Sequence, residues 1–189
     1  TLDRFKRGNR VLWNAKMRFG KTLCTLEVIN RKQFKKTLIL THRPVVDEGW
    51  RDDFFKISWQ KKCYYLKKGT DESHIRHHIL KGYPFILFAS IQDLRGSRKV
   101  GGKYDKNDLL FQTEWDCVVI DEAHEGTKTS LGDDVLKEII KEESYGKTKQ
   151  MYLSGTPFNL VDDFSEDEVY TWDYVMEQKA KSEWDIING

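Results

Sequence analysis

The chain has 189 residues, 39% apolar and 33% charged, with a net charge of +2. That length suffices for one domain with a core of its own, and the balance excludes a disordered or low-complexity chain. No apolar run approaches the ~18 residues of a membrane span, so none is expected.

The net charge conceals an asymmetry. From Arg4 to Lys36 nearly every charge is positive, whereas Asp162 to Asp185 is mostly acidic. A basic front suits phosphate partners, nucleotide or nucleic acid. The start, Thr1-Leu2-Asp3-Arg4, has neither an apolar stretch nor an initiator Met. No signal peptide is read there, and the chain is expected to be a piece of a longer protein. Cys24, Cys63 and Cys117 are widely spaced with no CxxC pattern. They are expected to be free buried thiols in a reducing compartment, the cytoplasm. His74, His77 and His78 have helical spacing but no Cys or acidic partner at ligand spacing, so a solvated helix face is expected.

In chain order, Val11–Asn14 is a predicted strand. It leads into Ala15–Thr22, A-K-M-R-F-G-K-T, and then an apolar helix over Leu23–Ile29. Strand, loop ending Gly-Lys-Thr, then helix is the arrangement that cradles phosphates. Gly20 admits close backbone approach, and the unpaired N–H groups of the helix start favour an anion. Lys21 can reach the outer phosphates and the Thr22 hydroxyl can ligate Mg²⁺. Ala15 stands where glycine is usual, and the interior, Lys16-Met17-Arg18-Phe19, is bulky. The alternative is a chance Gly-Lys-Thr before an amphipathic helix.

Thr37–Thr41 reads as a strand buried on both faces. His42-Arg43-Pro44 turns into a helix over Val45–Phe55, and Cys63–Leu66 is a candidate third strand. Asp71 and Ser73 are candidate caps for a helix through Leu80, stopped by Gly82. Phe85–Ala89 is another buried strand, running into Ser90-Ile91-Gln92-Asp93-Leu94. Arg95–Lys103 is a basic, Gly-rich loop, expected to be mobile. A short helix over Asp108–Phe111, a strand over Cys117–Ile120, a helix over Val135–Glu143 and a strand over Gln150–Leu153 follow. This alternation predicts an α/β doubly wound, mostly parallel sheet with helices on both faces. Ligands of such sheets sit at the carboxyl ends of the strands.

Asp121-Glu122-Ala123-His124 closes one of those strands. Asp121 is placed to hold Mg²⁺ opposite Thr22, and Glu122 to orient or deprotonate an attacking water. A helix start that favours acids is the alternative for these two alone. A further strand ends in Ser154-Gly155-Thr156-Pro157, suited to a hinge, a hydrogen-bond relay or a plain turn.

Ala15-x-x-x-x-Gly-Lys-Thr, Asp-Glu-Ala-His and Ser-Gly-Thr-Pro, in that order and each after a buried strand, resemble the first RecA-like lobe of superfamily 2 helicases and translocases. The resemblance covers about Arg10 to Phe158 and looks closest to the motor subunits of type I and type III restriction systems. It implies a RecA-like phosphate-loop ATPase over residues 1–160, followed by an acidic connector, 161–189, towards a second lobe. Its cofactors would be ATP and Mg²⁺. Ala15, Lys16, Arg18, Phe19, Gly20, Lys21 and Thr22 would hold the nucleotide, with Thr22 and Asp121 on the metal. Lys21, Asp121 and Glu122 would be catalytic, and His124, Ser154 and Thr156 would couple nucleotide state to the partner lobe and nucleic acid. Thr41-His42-Arg43-Pro44 and Phe88–Leu94 look like the two motifs that touch the nucleic-acid backbone, through Thr41, Arg43, Ser90 and Gln92; the Arg95–Lys103 loop is a further candidate. The implied partners are nucleic acid, DNA above RNA, a second RecA-like lobe, and nuclease or methyltransferase subunits. The family's adenine-reading Gln motif is missing, since no Gln precedes Gln33. Its transition-state arginine belongs to the second lobe, so the chain alone is expected to turn over little ATP. The alternatives are an unwinding RNA or DNA helicase of the same superfamily, a phosphate-loop kinase, and a module that binds ATP without hydrolysing it.

Overall fold

A computed structural model describes residues 1–16, 19–42, 44–67, 69–104, 107–123, 130–141, 146–156 and 160–188. Seven strands form one parallel sheet: β1 (Arg10–Ala15), β2 (Lys36–Thr41), β3 (Tyr64–Lys67), β4 (Phe85–Ser90), β5 (Cys117–Asp121), β6 (Lys149–Ser154) and β7 (Val169–Trp172). Their spatial order is β3-β4-β2-β5-β6-β1-β7, and every pairing is parallel. The α/β expectation is therefore met.

Side chains alternate across a strand, so each apolar run feeds both faces. Leu38 and Leu40 of β2, with Val118 and Ile120 of β5, join one core. Ile39, Cys117 and Val119 join the other. The first core is closed by residues of α4 (Glu72–Lys81), α5 (Ile91–Leu94), α6 (Asp108–Gln112) and α7 (Ser130–Ile139). The second is closed by α1 (Arg4–Arg7), α2 (Lys21–Lys32) and α3 (Asp47–Phe54), through Phe5, Leu26, Ile29, Trp50 and Phe54. With both faces covered, continuously apolar strands are what burial requires.

Local signals set the element ends. Asp71 caps α4 by accepting from the Ser73 N–H at 2.7 Å, and Gly82 ends it in the left-handed conformation, φ 66°. α7 begins a turn before the expected Val135 and buries Val135, Leu136 and Ile139. Four elements were not anticipated: the short helices α1 and α5, the strand β7, and the helix α8 (Tyr174–Asn188) that follows it. β7 pairs with β1, Leu12 opposite Val169 through Ala15 opposite Trp172, so part of the acidic end lies within the sheet.

The charge asymmetry resolves into pairs within the molecule. Glu168 accepts from Arg4 at 3.1 Å and from Arg10 at 3.0 Å, and Arg4 also pairs with Asp167. Arg10 lies over the Phe164 ring, 4.7 Å from its centre. The basic front is thus neutralised in part by the acidic end rather than kept whole for phosphate. The cysteine expectation also needs correction. Cys117 is buried, Cys63 is half-buried with its thiol pushed up to about 12 by burial, and Cys24 is exposed on α2. No cluster of three or more His, Cys, Asp or Glu side chains that could hold a metal ion is found among the described residues, and His78 Nδ1 meets the His74 carbonyl at 2.7 Å. No helix among the described residues is long and apolar enough to cross a membrane.

Candidate active site

The three sequence motifs end neighbouring strands. β6 lies between β1 and β5, so the Gly-Lys-Thr loop, Ser154-Gly155 and Asp121-Glu122 meet at one edge of the sheet. Gly20 precedes α2 with φ 81°, a conformation that favours glycine. A Cβ built there would find nothing within 4 Å, which leaves the open backbone approach a phosphate needs. The first N–H groups of α2 face that opening without carbonyl partners of their own helix.

Lys21 is the hub. Its Nζ donates to the Ala15 carbonyl at 3.0 Å and lies 3.7 Å from Glu122 Oε1, with the side chain only 12% exposed. Gly155 passes close by: an added Cβ would sit 3.6 Å from that Nζ. The ammonium therefore joins the loop, β6 and β5 at one point, and an anionic phosphate would compete with Glu122 for it.

Asp121 is held on two sides. Its Oδ2 accepts from the Trp50 indole N–H at 2.9 Å and its Oδ1 from the Glu122 backbone N–H at 3.0 Å. Burial raises the carboxyl above its usual range, and the Glu122 charge adds to that; the Trp50 hydrogen bond and Lys21 oppose it. A carboxylate so desolvated gains most from a cation. Glu122 has φ 50°, rare for a residue with a Cβ, so backbone strain is stored beside the acid pair. With Thr22 half-buried at the start of α2, the oxygen donors fit a Mg²⁺ that keeps several waters and borrows oxygens from a nucleotide.

Trp50 is the functional neighbour that sequence reasoning missed. The available signal was one large aromatic, 1% exposed in the fold, within the highly charged D-E-G-W-R-D-D-F helix. Lys16 and Phe19 of the loop are engaged by the chain's end. Lys16 pairs with Glu177 and lies 5.0 Å over the Tyr174 ring, and Phe19 packs on Trp172 at 5.2 Å between centres. Ser154 is buried and its Oγ accepts from the Thr156 N–H at 3.1 Å, while Thr156 itself is exposed. Arg18, Arg43, His124 and Pro157 lie outside the described residues. Of the nucleic-acid candidates, Thr41 and Ser90 are buried, Ser90 capping α5 through the Asp93 N–H at 3.2 Å, and Gln92 is exposed.

The family described as type III restriction enzyme, res subunit, matches residues 2–159. The chain belongs to that family. The match spans the phosphate loop, the acid pair and Ser154–Thr156 of this res-family chain. It is 30% identical to the C-terminus of a candidate type II restriction enzyme and methyltransferase from Mycoplasma pneumoniae; the alignment covers 96% of the chain and 31% of that relative. Among solved structures, it is similar to a hypothetical ATP-dependent RNA helicase from Sulfolobus tokodaii (TM-score 0.59, 19% identity, 91% of this chain and 50% of that one). The Hef helicase domain of Pyrococcus furiosus gives a TM-score of 0.60 at 12% identity, over 90% and 37% of the two chains. The UvsW helicase of bacteriophage T4 gives 0.56 at 14%, over 90% and 58%. At these identities the structures speak for the fold, that of helicase RecA-like domains. The res-family chain spans about a third of the curated relative's length and about 40 to 60% of the solved chains.

Proposed function

We propose that this chain is the ATP-binding lobe of a motor that hydrolyses ATP to move along DNA within a restriction-modification enzyme. The observation that carries the reading is Lys21 Nζ, 3.7 Å from Glu122 Oε1 across β6, which joins the phosphate loop to the acid pair. Residues 1–160 would be the body of the lobe, with β7 completing its sheet, and the chain beyond β7 would lead on to a second lobe. Gly20, Lys21 and the α2 N–H groups hold the nucleotide's phosphates. Thr22 and Asp121 hold Mg²⁺, which supplies charge neutralisation on the phosphates when bound. Glu122 takes the proton of the attacking water, and Ser154 and Thr156 relay nucleotide state towards DNA. Family membership supports nucleotide and DNA as partners, in the cytoplasm with further subunits.

The reading is tested with Glu122→Gln in the longest native chain. An amide cannot accept the proton, so DNA-stimulated ATP turnover should fall by ~10²–10⁴-fold while ATP affinity holds. Unchanged turnover would mean that another residue positions the water.

A further inference from the structure

We propose that Gly96–Tyr104 is a preformed basic knuckle that grips successive phosphates of a nucleic-acid strand. From Arg95 to Lys103 the sequence carries four cations and no acid. The expected mobile loop is instead a compact turn. Gly102 N–H and Val100 N–H both donate to the Ser97 carbonyl, at 2.8 and 3.1 Å. Arg98 N–H donates to Tyr104 O at 2.9 Å, and Tyr104 N–H to Gly96 O at 3.0 Å. Ser97 is fully buried, with its Oγ accepting from the Lys99 N–H at 3.3 Å, and Val100 is buried in the same core as Leu94 and Val135. The two passes of backbone touch so closely that a Cβ on Gly102 would sit 2.3 Å from the Gly96 carbonyl atoms.

What this framework holds outward is charge. Arg98, Lys99 and Lys103 are exposed, as is Tyr104 at 65%. A basic loop that serves solubility alone has no use for a crossing that excludes every side chain but glycine's. Cations fixed in advance lose less freedom on binding a regular row of charges than cations on a loose loop. The knuckle also stands where nucleic acid would be met. It follows β4 through α5, at the carboxyl end of the sheet that carries Gly20 and Asp121. Thr41 and Ser90 are buried there, so among the described candidates the exposed contacts are Gln92 and this turn. Contacts of this kind go to phosphates and carry no base sequence. The choice of nucleic acid as partner rests on the motor reading above.

The test uses the longest native chain with a short random-sequence DNA duplex and the matching single strand. Affinity is read by fluorescence anisotropy across a salt series. Each lost phosphate contact should lower the log–log salt slope by about 0.9 on a duplex or about 0.7 on a single strand. Arg98→Gln, Lys99→Gln and Lys103→Gln together should therefore remove about 2.7 or about 2.1, which also tells the two strand forms apart. Gly102→Ala keeps every charge but breaks the crossing, and should cost at least about one unit of slope. ATP affinity should be unchanged in both variants, which reports that they fold. A normal slope in the triple variant, with wild-type binding intact, overturns the knuckle and spares the motor reading. A reduced slope in the triple variant with a normal one in a folded Gly102→Ala also overturns it, since charge alone would then suffice. No salt-dependent binding by the wild type overturns both.

Discussion

Replacing Glu168 by Gln probes how the two ends of the chain are joined. Burial on its own would raise the Glu168 carboxyl. Hydrogen bonds from Arg10 and the Ser165 N–H, together with the Arg10 charge, outweigh burial and hold it at about 2, against 4.5 for a free glutamate. Taken at face value, that depression is worth ~3 kcal/mol of folding free energy at neutral pH. Water reaches the cluster from the side where Asp167 stands two-thirds exposed, and screening of that kind reduces the expected contribution to ~1–2 kcal/mol. The sign follows from the depressed value. The contribution is complete above the unfolded glutamate's pKa, about 4.5, and is lost as pH falls towards about 2. Glu168→Gln should therefore lower Tm by roughly 2–8 °C near neutral pH in a chain of this size. The gap from wild type should shrink as urea melts are repeated below about pH 4.5. A difference under about 0.5 kcal/mol at neutral pH, or one that does not change with acid, would refute the clasp as a source of stability.

Two further outcomes concern the nucleotide site. Lys21→Ala removes a charged donor worth ~1.5–3 kcal/mol, so calorimetric ATP affinity should drop at least about tenfold; an unchanged affinity would make the Gly-Lys-Thr decorative. Trp50→Phe keeps the packing but removes the indole N–H from Asp121, and burial should then push that carboxyl up further. Mg²⁺ titrations of nucleotide binding should show about tenfold weaker metal dependence near neutral pH, recovering as pH rises. An identical titration would show that the indole does not act on the carboxylate.

The strands and the phosphate loop were legible because their signals are local: apolar runs between turns, and a glycine followed by Lys-Thr. That the phosphate loop and the acid pair share one edge was legible too, since strands of one parallel sheet deliver their carboxyl ends together; the close approach of Lys21 to Glu122 was not. β7 was not. Val-Tyr-Thr-Trp is short and ordinary, and its place beside β1 depends on Arg4 and Arg10 meeting Glu168 across most of the chain. For the same reason, the cations of the front read as a phosphate surface when part of their charge is spent internally. The Arg95–Lys103 turn looked loose because glycine signals freedom in a sequence. Only the close approach of Gly102 to Gly96 shows glycine serving the opposite end, a tight crossing.

The position of β1 has a consequence for how the molecule is made. Although it is the first strand in sequence, its neighbours are the last two: Leu12 lies between Tyr152 and Val169. Strands β2 to β5 can pair among themselves while β1 waits, and closing so long a loop is slow. During synthesis the chain carries the complete Gly-Lys-Thr sequence long before it has the sheet edge that shapes it. On the proposed reading, ATP binding would be a late event in the life of the nascent polypeptide, and a ribosome-stalled chain ending after β5 should hold a folded half-sheet that ignores nucleotide.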